Sequence, residues 1–221
     1  MNTVKETFEF VSGAITSFRD TGSIFPTSKW AAKELTSPLR AVASQSSRNI
    51  LELGPGTGSV TVRILKDMRD DDTLFICELN PKFMKVLKEV LEDNKDYQRH
   101  KDRVTFFLGA AQDIDSNLKF DVVVCALPFL NFDKETVKSI FGKIRDLSSP
   151  NAVMTYYEYI GLRRLSKLLP ERQERVRELE PVFRHIDLAK TGKKRIWLNM
   201  LPVNIYTMLP TALPDFEATT P

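Results

Sequence analysis

Two residue types are scarce in this 221-residue chain, and each scarcity removes a class of function. Cysteine occurs twice, at Cys77 and Cys125, far apart and within apolar runs. That is too few for a disulfide framework, and the setting predicts buried, unpaired thiols. Histidine is confined to His100 and His185, so there is no Cys/His cluster to hold zinc and no metal is expected. No apolar run approaches the roughly 20 residues needed to span a bilayer. The N-terminus has no basic stretch leading into an apolar one, so it does not read as a secretory signal. Together these absences predict a cytoplasmic protein. Charge of either sign is also not in excess, with 32 Lys and Arg against 29 Asp and Glu. The resulting +3 does not by itself imply a nucleic-acid partner.

What is present is an ordinary globular composition, 42% apolar and 28% charged, enough for one domain with a real core. The positive charge is gathered. Residues 160–177 hold Arg163, Arg164, Lys167, Arg172, Arg175 and Arg177 against only Glu171 and Glu174. Lys190, Lys193, Lys194 and Arg195 form a second cluster. Either could face an anionic surface, membrane or RNA.

Along the chain, Val4, Phe8, Val11, Ile15 and Phe18 recur at helical spacing, predicting an amphipathic helix over 3–19. A turn follows, and Thr27 or Ser28 caps a helix to about residue 35. Strands are then expected at 49–53, 73–78, 104–108, 120–126 and 152–159, with helices at 59–68, 81–93 and 133–147 between them. Such alternation predicts a parallel sheet covered by helices on both faces. A basic helical insert follows at about 160–180, then strand candidates at 182–188 and 195–208. The predicted organisation is an N-terminal helix and lid segment over 1–35, one α/β domain over 36–209, and a frayed tail over 210–221.

The chemistry-bearing signal is Glu52-Leu53-Gly54-Pro55-Gly56-Thr57-Gly58, between the first strand and the following helix. Glycine allows a sharp turn and close approach to a ligand. Dinucleotide loops read G-x-G-x-x-G and hold a pyrophosphate. Here the spacing is G-x-G-x-G with an acid inside the strand. Glu52 would repel a pyrophosphate but suits a cationic, amino-acid-bearing cofactor, which favours S-adenosyl-L-methionine. Glu78, at the end of the second strand, stands where such folds place an acid to accept ribose hydroxyls.

With these two features the chain resembles the class I S-adenosylmethionine-dependent methyltransferases. That resemblance implies a doubly wound, mostly parallel seven-stranded sheet. It also implies a methionine end held over Gly54, Gly56, Thr57 and Gly58 with Glu52 behind them, and a ribose at Glu78 and Leu79. Adenine would lie beside the third-strand loop, Gly109-Ala110-Ala111-Gln112-Asp113. Many relatives carry an acid where this chain has Ala110, so the adenine contact falls to backbone amides near Ala111, or to Gln112 or Asp113.

The fourth strand leads into Ala126-Leu127-Pro128-Phe129-Leu130. Methyltransferases acting on adenine or glutamine amides begin this loop with Asn or Asp, which orients the planar amine. Ala126 has no group to do so, which argues against a nucleic-acid target. This loop, with Gly22-Ser23-Ile24-Phe25-Pro26-Thr27-Ser28, the glycine loop and Leu198-Asn199-Met200-Leu201-Pro202, resembles bacterial phospholipid N-methyltransferases and the related ornithine-lipid enzymes. The resemblance covers about residues 22–208. It implies transfer to the amine head group of a membrane lipid, with Ala126 and Leu127 against the cofactor and the loop from Ala126 to Phe129 lining the acceptor pocket. The rival is a ribosomal RNA adenine methyltransferase, with similar loop shape and basic surface.

Tyrosine rings suit successive methylation, because they bind increasingly methylated ammonium through cation–π contact. Of Tyr156, Tyr157 and Tyr159, strand alternation puts the last two on one face and Tyr156 on the other. Tyr157 and Tyr159 are the candidate catalytic residues. A lipid acceptor requires an enzyme at the inner membrane face, and two segments are candidates for meeting it: 3–19, whose helix could instead dock as a lid, and 162–177, whose basic face could instead be merely solvated.

Overall fold

The computed structural model describes residues 27–41, 46–166 and 170–216. The expected helix over 3–19 and the end of the tail lie outside the described residues. Chain order begins with α1 (Lys29–Leu35) and α2 (Ser37–Ala41), then β1 (Asn49–Leu53), α3 (Ser59–Asp67), β2 (Thr73–Glu78) and α4 (Pro81–Glu92). Next come α5 (Lys95–His100), β3 (Val104–Leu108), β4 (Phe120–Cys125), α6 (Lys134–Leu147) and β5 (Ser148–Tyr159). The chain closes through α7 (Leu162–Ser166), α8 (Pro170–Leu188), β6 (Lys190–Ile196) and β7 (Val203–Met208).

The local chemistry of these elements is explicit at their starts. Ser28 accepts from the Ala31 N–H, Asn80 from Lys82, Asn94 from Tyr97 and Asp133 from Thr136, each filling an orphan donor of a first helical turn. Pro81 needs no such partner.

The strands form one sheet in the order β3-β2-β1-β4-β5-β7-β6. β1 to β5 run parallel, and β7 is antiparallel to both β5 and β6. Leu51, Leu53, Val123 and Cys125 pack beneath α6 and α8 on one face. Ile50, Ile76, Val122 and Val124 pack beneath α1, α3 and α4 on the other. Burial on both faces explains why β1 and β4 read as continuous apolar runs. Both cysteines are buried and free. Below β1, the Arg48 guanidinium and the Asp72 carboxylate form a buried pair, with Nε to Oδ1 at 3.1 Å.

Two expectations fail in the last third of the chain. Residues 182–188 are the final turns of α8, not a strand. The run Val182-Phe183 with Ile186 has strand-like composition, but Leu179, Val182, Phe183 and Ile186 are the buried positions, a helical spacing of three and four. Residues 195–208 are not one strand: β6 begins earlier, at Lys190, and 197–202 turn the chain back into β7. The fifth strand also begins at Ser148, before the expected 152.

Candidate functional site

Because β1 is flanked by β2 and β4, the chain leaves it in opposite directions on its two sides. Open α/β sheets bind ligands at such a switch point, outside the carboxyl ends of the strands. Gly54, Gly56 and Gly58 stand there with φ of 71°, 57° and 91°, left-handed values that only glycine adopts freely. Gly54 is constrained twice over, since a Cβ would sit 2.6 Å from Leu127 Cδ2. The loop is tied to its neighbours by Gly54 N–H to the Cys77 carbonyl and Ala126 N–H to the Leu53 carbonyl.

A cavity of about 120 Å³ opens here, and Gly54, Gly56, Thr57, Glu78, Ala126, Leu127, Tyr157 and Tyr159 line it, with Thr27 just before α1, whereas Gly58 is not among the lining residues and lies against Leu87 of α4. Among the described lining residues Glu78 is the one carboxylate. It accepts from the Asn80 N–H at 2.8 Å and from the Gly56 N–H at 3.3 Å. Burial raises its pKa, offset in part by those backbone donors. The Gly56 contact is long, leaving acceptor capacity toward the cavity.

The two tyrosine rings lie edge to face, with centroids 5.5 Å apart. Burial pushes both phenols above their ordinary pKa, so both are neutral donors at physiological pH. Tyr156 points the other way, into the core against Phe129 and Phe141.

Several candidates lie elsewhere. Glu52 is fully buried beneath the loop, and its pKa rises to about 8 chiefly through burial, with Thr61 offsetting part and Glu78 adding to it. Neither Glu52 oxygen nor the Thr61 hydroxyl makes a well-formed hydrogen bond. Leu79 is exposed beside Glu78, and Ala111 is buried in the core. Ala110 caps the short turn that follows β3. Gln112 lies in a separate groove beside α6, with Lys138 and Lys143. Sequence reasoning missed Thr27, Phe83 and Val60, which also line the cavity; nothing in their residue types marks them.

Residues 51–154 match the methyltransferase domain family model. This region is a methyltransferase domain. The fold agrees: the chain superposes on the precorrin-6Y C5,15-methyltransferase of Geobacter metallireducens GS-15 with a TM-score of 0.54 at 17% identity, over 84% of this chain and 93% of that one. A glycopeptide N-methyltransferase gives 0.59 at 12% identity, over 83% and 89%. In sequence, the chain is 26% identical over 137 residues to an ornithine lipid N-methyltransferase of Singulisphaera acidiphila, covering 58% of this chain. The match spans 65% of that relative's length.

The domain and its fold imply S-adenosylmethionine as methyl donor, and the residues present fit it. A left-handed glycine loop, an acid at the end of β2 and two aromatic hydroxyls share one cavity. Among the described residues, no helix is long and apolar enough to cross a membrane.

Proposed function

We propose that this chain transfers methyl groups from S-adenosylmethionine to the amine of a membrane lipid, with ornithine lipid the first acceptor to try and phosphatidylethanolamine the second. The observation that carries the reading is the part of the cavity lined by the end of β5 and the loop after β4. It offers two neutral tyrosines and Ala126 and, among the described residues, no amide or carboxylate to orient a planar base. The name of the Singulisphaera relative supports the same class of acceptor.

In this reading Gly54, Gly56, Thr57 and Gly58 hold the methionine end, and Glu78 with Leu79 holds the ribose. Ala110 and Ala111 offer backbone to the adenine. Bound there, the cofactor supplies an electrophilic methyl group on a sulfonium. A neutral amine is already a good nucleophile, so the protein's part is alignment, water exclusion and accommodation of the ammonium product. Tyr157 and Tyr159 present ring faces and hydroxyls suited to that product. Tyr159→Phe should keep the ring and much of the activity, whereas Tyr159→Ala should lose about tenfold or more, in line with a desolvated cation–π contact.

The test is label transfer from methyl-labelled cofactor to detergent micelles of ornithine lipid or phosphatidylethanolamine, with ribosomal subunits in parallel. Label in lipid supports the proposal. Label in RNA alone overturns it.

A further inference from the structure

In the segment 162–177, expected to meet a membrane, Arg164, Arg175 and Arg177 are exposed, but the apolar side chains that are described turn inward. Leu162 is buried, and Arg163 pairs with Glu158 and Asp187 while stacking 3.8 Å from the Phe183 ring. The large exposed apolar side chains gather elsewhere. Trp197, Leu198 and Met200 form the turn between β6 and β7 and are 62%, 66% and 50% exposed. Trp30, on the first turn of α1, is 47% exposed. The Ser28 N–H donates to Asn199 Oδ1 at 2.9 Å, which brings the start of α1 to that turn.

The patch has a sign. No acidic residue occurs between Asp187 and Asp215, while Lys193, Lys194 and Arg195 lead into the turn. Lys194 is matched by Glu34 of α1. Arg195 lies 5.3 Å from the Trp197 ring and Lys29 5.3 Å from the Trp30 ring, so each tryptophan has a cation beside it. Indole with neighbouring Lys or Arg is the chemistry of a bilayer interface, where the ring sits at head-group depth and the cation meets lipid phosphate. The patch also borders the site. Asn199, Met200 and Leu201 line a crevice with Thr27, Tyr157 and Tyr159, three residues shared with the cofactor cavity.

We propose that the β6–β7 turn, with the first turn of α1, docks on an anionic lipid bilayer and sets the mouth of the tyrosine-lined cavity at its surface. The purpose of this docking rests on the lipid-acceptor reading, but its measurement does not. Vesicles of phosphatidylglycerol and phosphatidylcholine contain no amine to methylate, so binding to them reports docking alone.

Trp30 and Trp197 are the only two tryptophans in the chain, so intrinsic fluorescence watches this patch directly. On adding the vesicles, emission should shift to the blue and be quenched by phospholipids brominated near the head group. Trp197→Ser with Leu198→Ser should weaken vesicle partitioning by about tenfold or more, as expected when two large apolar side chains leave the interface. Lys193→Glu with Arg195→Glu should weaken it at low salt and little at high salt. Leu188→Ser is the control. That leucine is 83% exposed but lies at the other end of β6, roughly 23 Å away along a seven-residue strand, and should change nothing. Unaltered melting temperatures show that the variants fold.

Failure of the wild type to bind, or equal effects from Leu188→Ser, overturns docking. Tryptophans shielded from acrylamide without vesicles, and unmoved by them, mean that the chain covers its own patch, which also overturns it. So does a wild-type dimer that the Trp197/Leu198 variant splits. Methylation of micellar lipid without vesicle binding sinks docking alone. Vesicle binding without methylation of any lipid sinks the acceptor assignment and leaves docking standing.

Discussion

Glu52 gives a prediction that rests chiefly on its burial. Its carboxyl lies in the core under the glycine loop, with a pKa raised from 4.5 to about 8. Below the ordinary value it is protonated in folded and unfolded chains alike and has no effect on stability. Between the two values the unfolded chain releases the proton and the folded chain keeps it. Stability therefore falls as pH rises, by at most about 1.4 kcal/mol per unit, and levels off once the folded chain ionises too. Across the whole window the loss is on the order of 3–5 kcal/mol. Glu52→Gln has nearly the same shape and cannot ionise, so it should lack this slope. The measurement is urea denaturation of both proteins, without cofactor, at about pH 5 and about pH 8, the ends of that window. The wild type should lose on the order of 3 kcal/mol relative to the variant between them. Comparing slopes cancels whatever a buried amide itself costs. Parallel curves would refute the reasoning, because they would mean that Glu52 ionises as it does in water.

Other expectations follow from single contacts. Gly54→Ala combines a left-handed φ with a Cβ 2.6 Å from Leu127, and thermal denaturation should show a loss of about 1–3 kcal/mol, of which Leu127→Ala restores only the steric share. Glu78→Ala should weaken S-adenosylhomocysteine binding by about 1.5–3 kcal/mol in calorimetry; unchanged affinity would mean that the ribose lies elsewhere. Burial alone would raise the Asp72 carboxyl, but hydrogen bonds from Arg48 and from the Arg69 and Arg48 backbone hold it below its ordinary value. Its contribution is thus present above that value and lost as pH falls through the lowered one. Asp72→Ala, which strands a buried guanidinium, should cost about 3–5 kcal/mol in urea denaturation.

The sequence was most informative where one local rule sufficed. The glycine loop, the five parallel strands and the helix cap at Thr27 or Ser28 each declare themselves within a few residues, and the structure has them, with Ser28 as the cap. The chain became ambiguous after residue 160. At 182–188 an apolar, β-branched stretch suits either a strand or a helix, and only its seat against the sheet decides. At 195–208 apolar residues run through a reversal, because Trp197, Leu198 and Met200 are exposed. Apolar composition looked like core and was surface. Glu52 shows the converse limit. Its spacing from the glycines was plain, but a strand residue's face follows from what packs on either side, so its separation from the cavity was not legible.

The short helix α1 is fastened at both ends, at Ser28 by Asn199 and at Leu35 by the Thr155 hydroxyl, which donates to its carbonyl at 2.6 Å. Thr27, just before it, lines the cavity. One rim of the reaction chamber is thus pinned from two separate places, so a change at Asn199 or Thr155 reaches the chamber's width without touching a single lining residue.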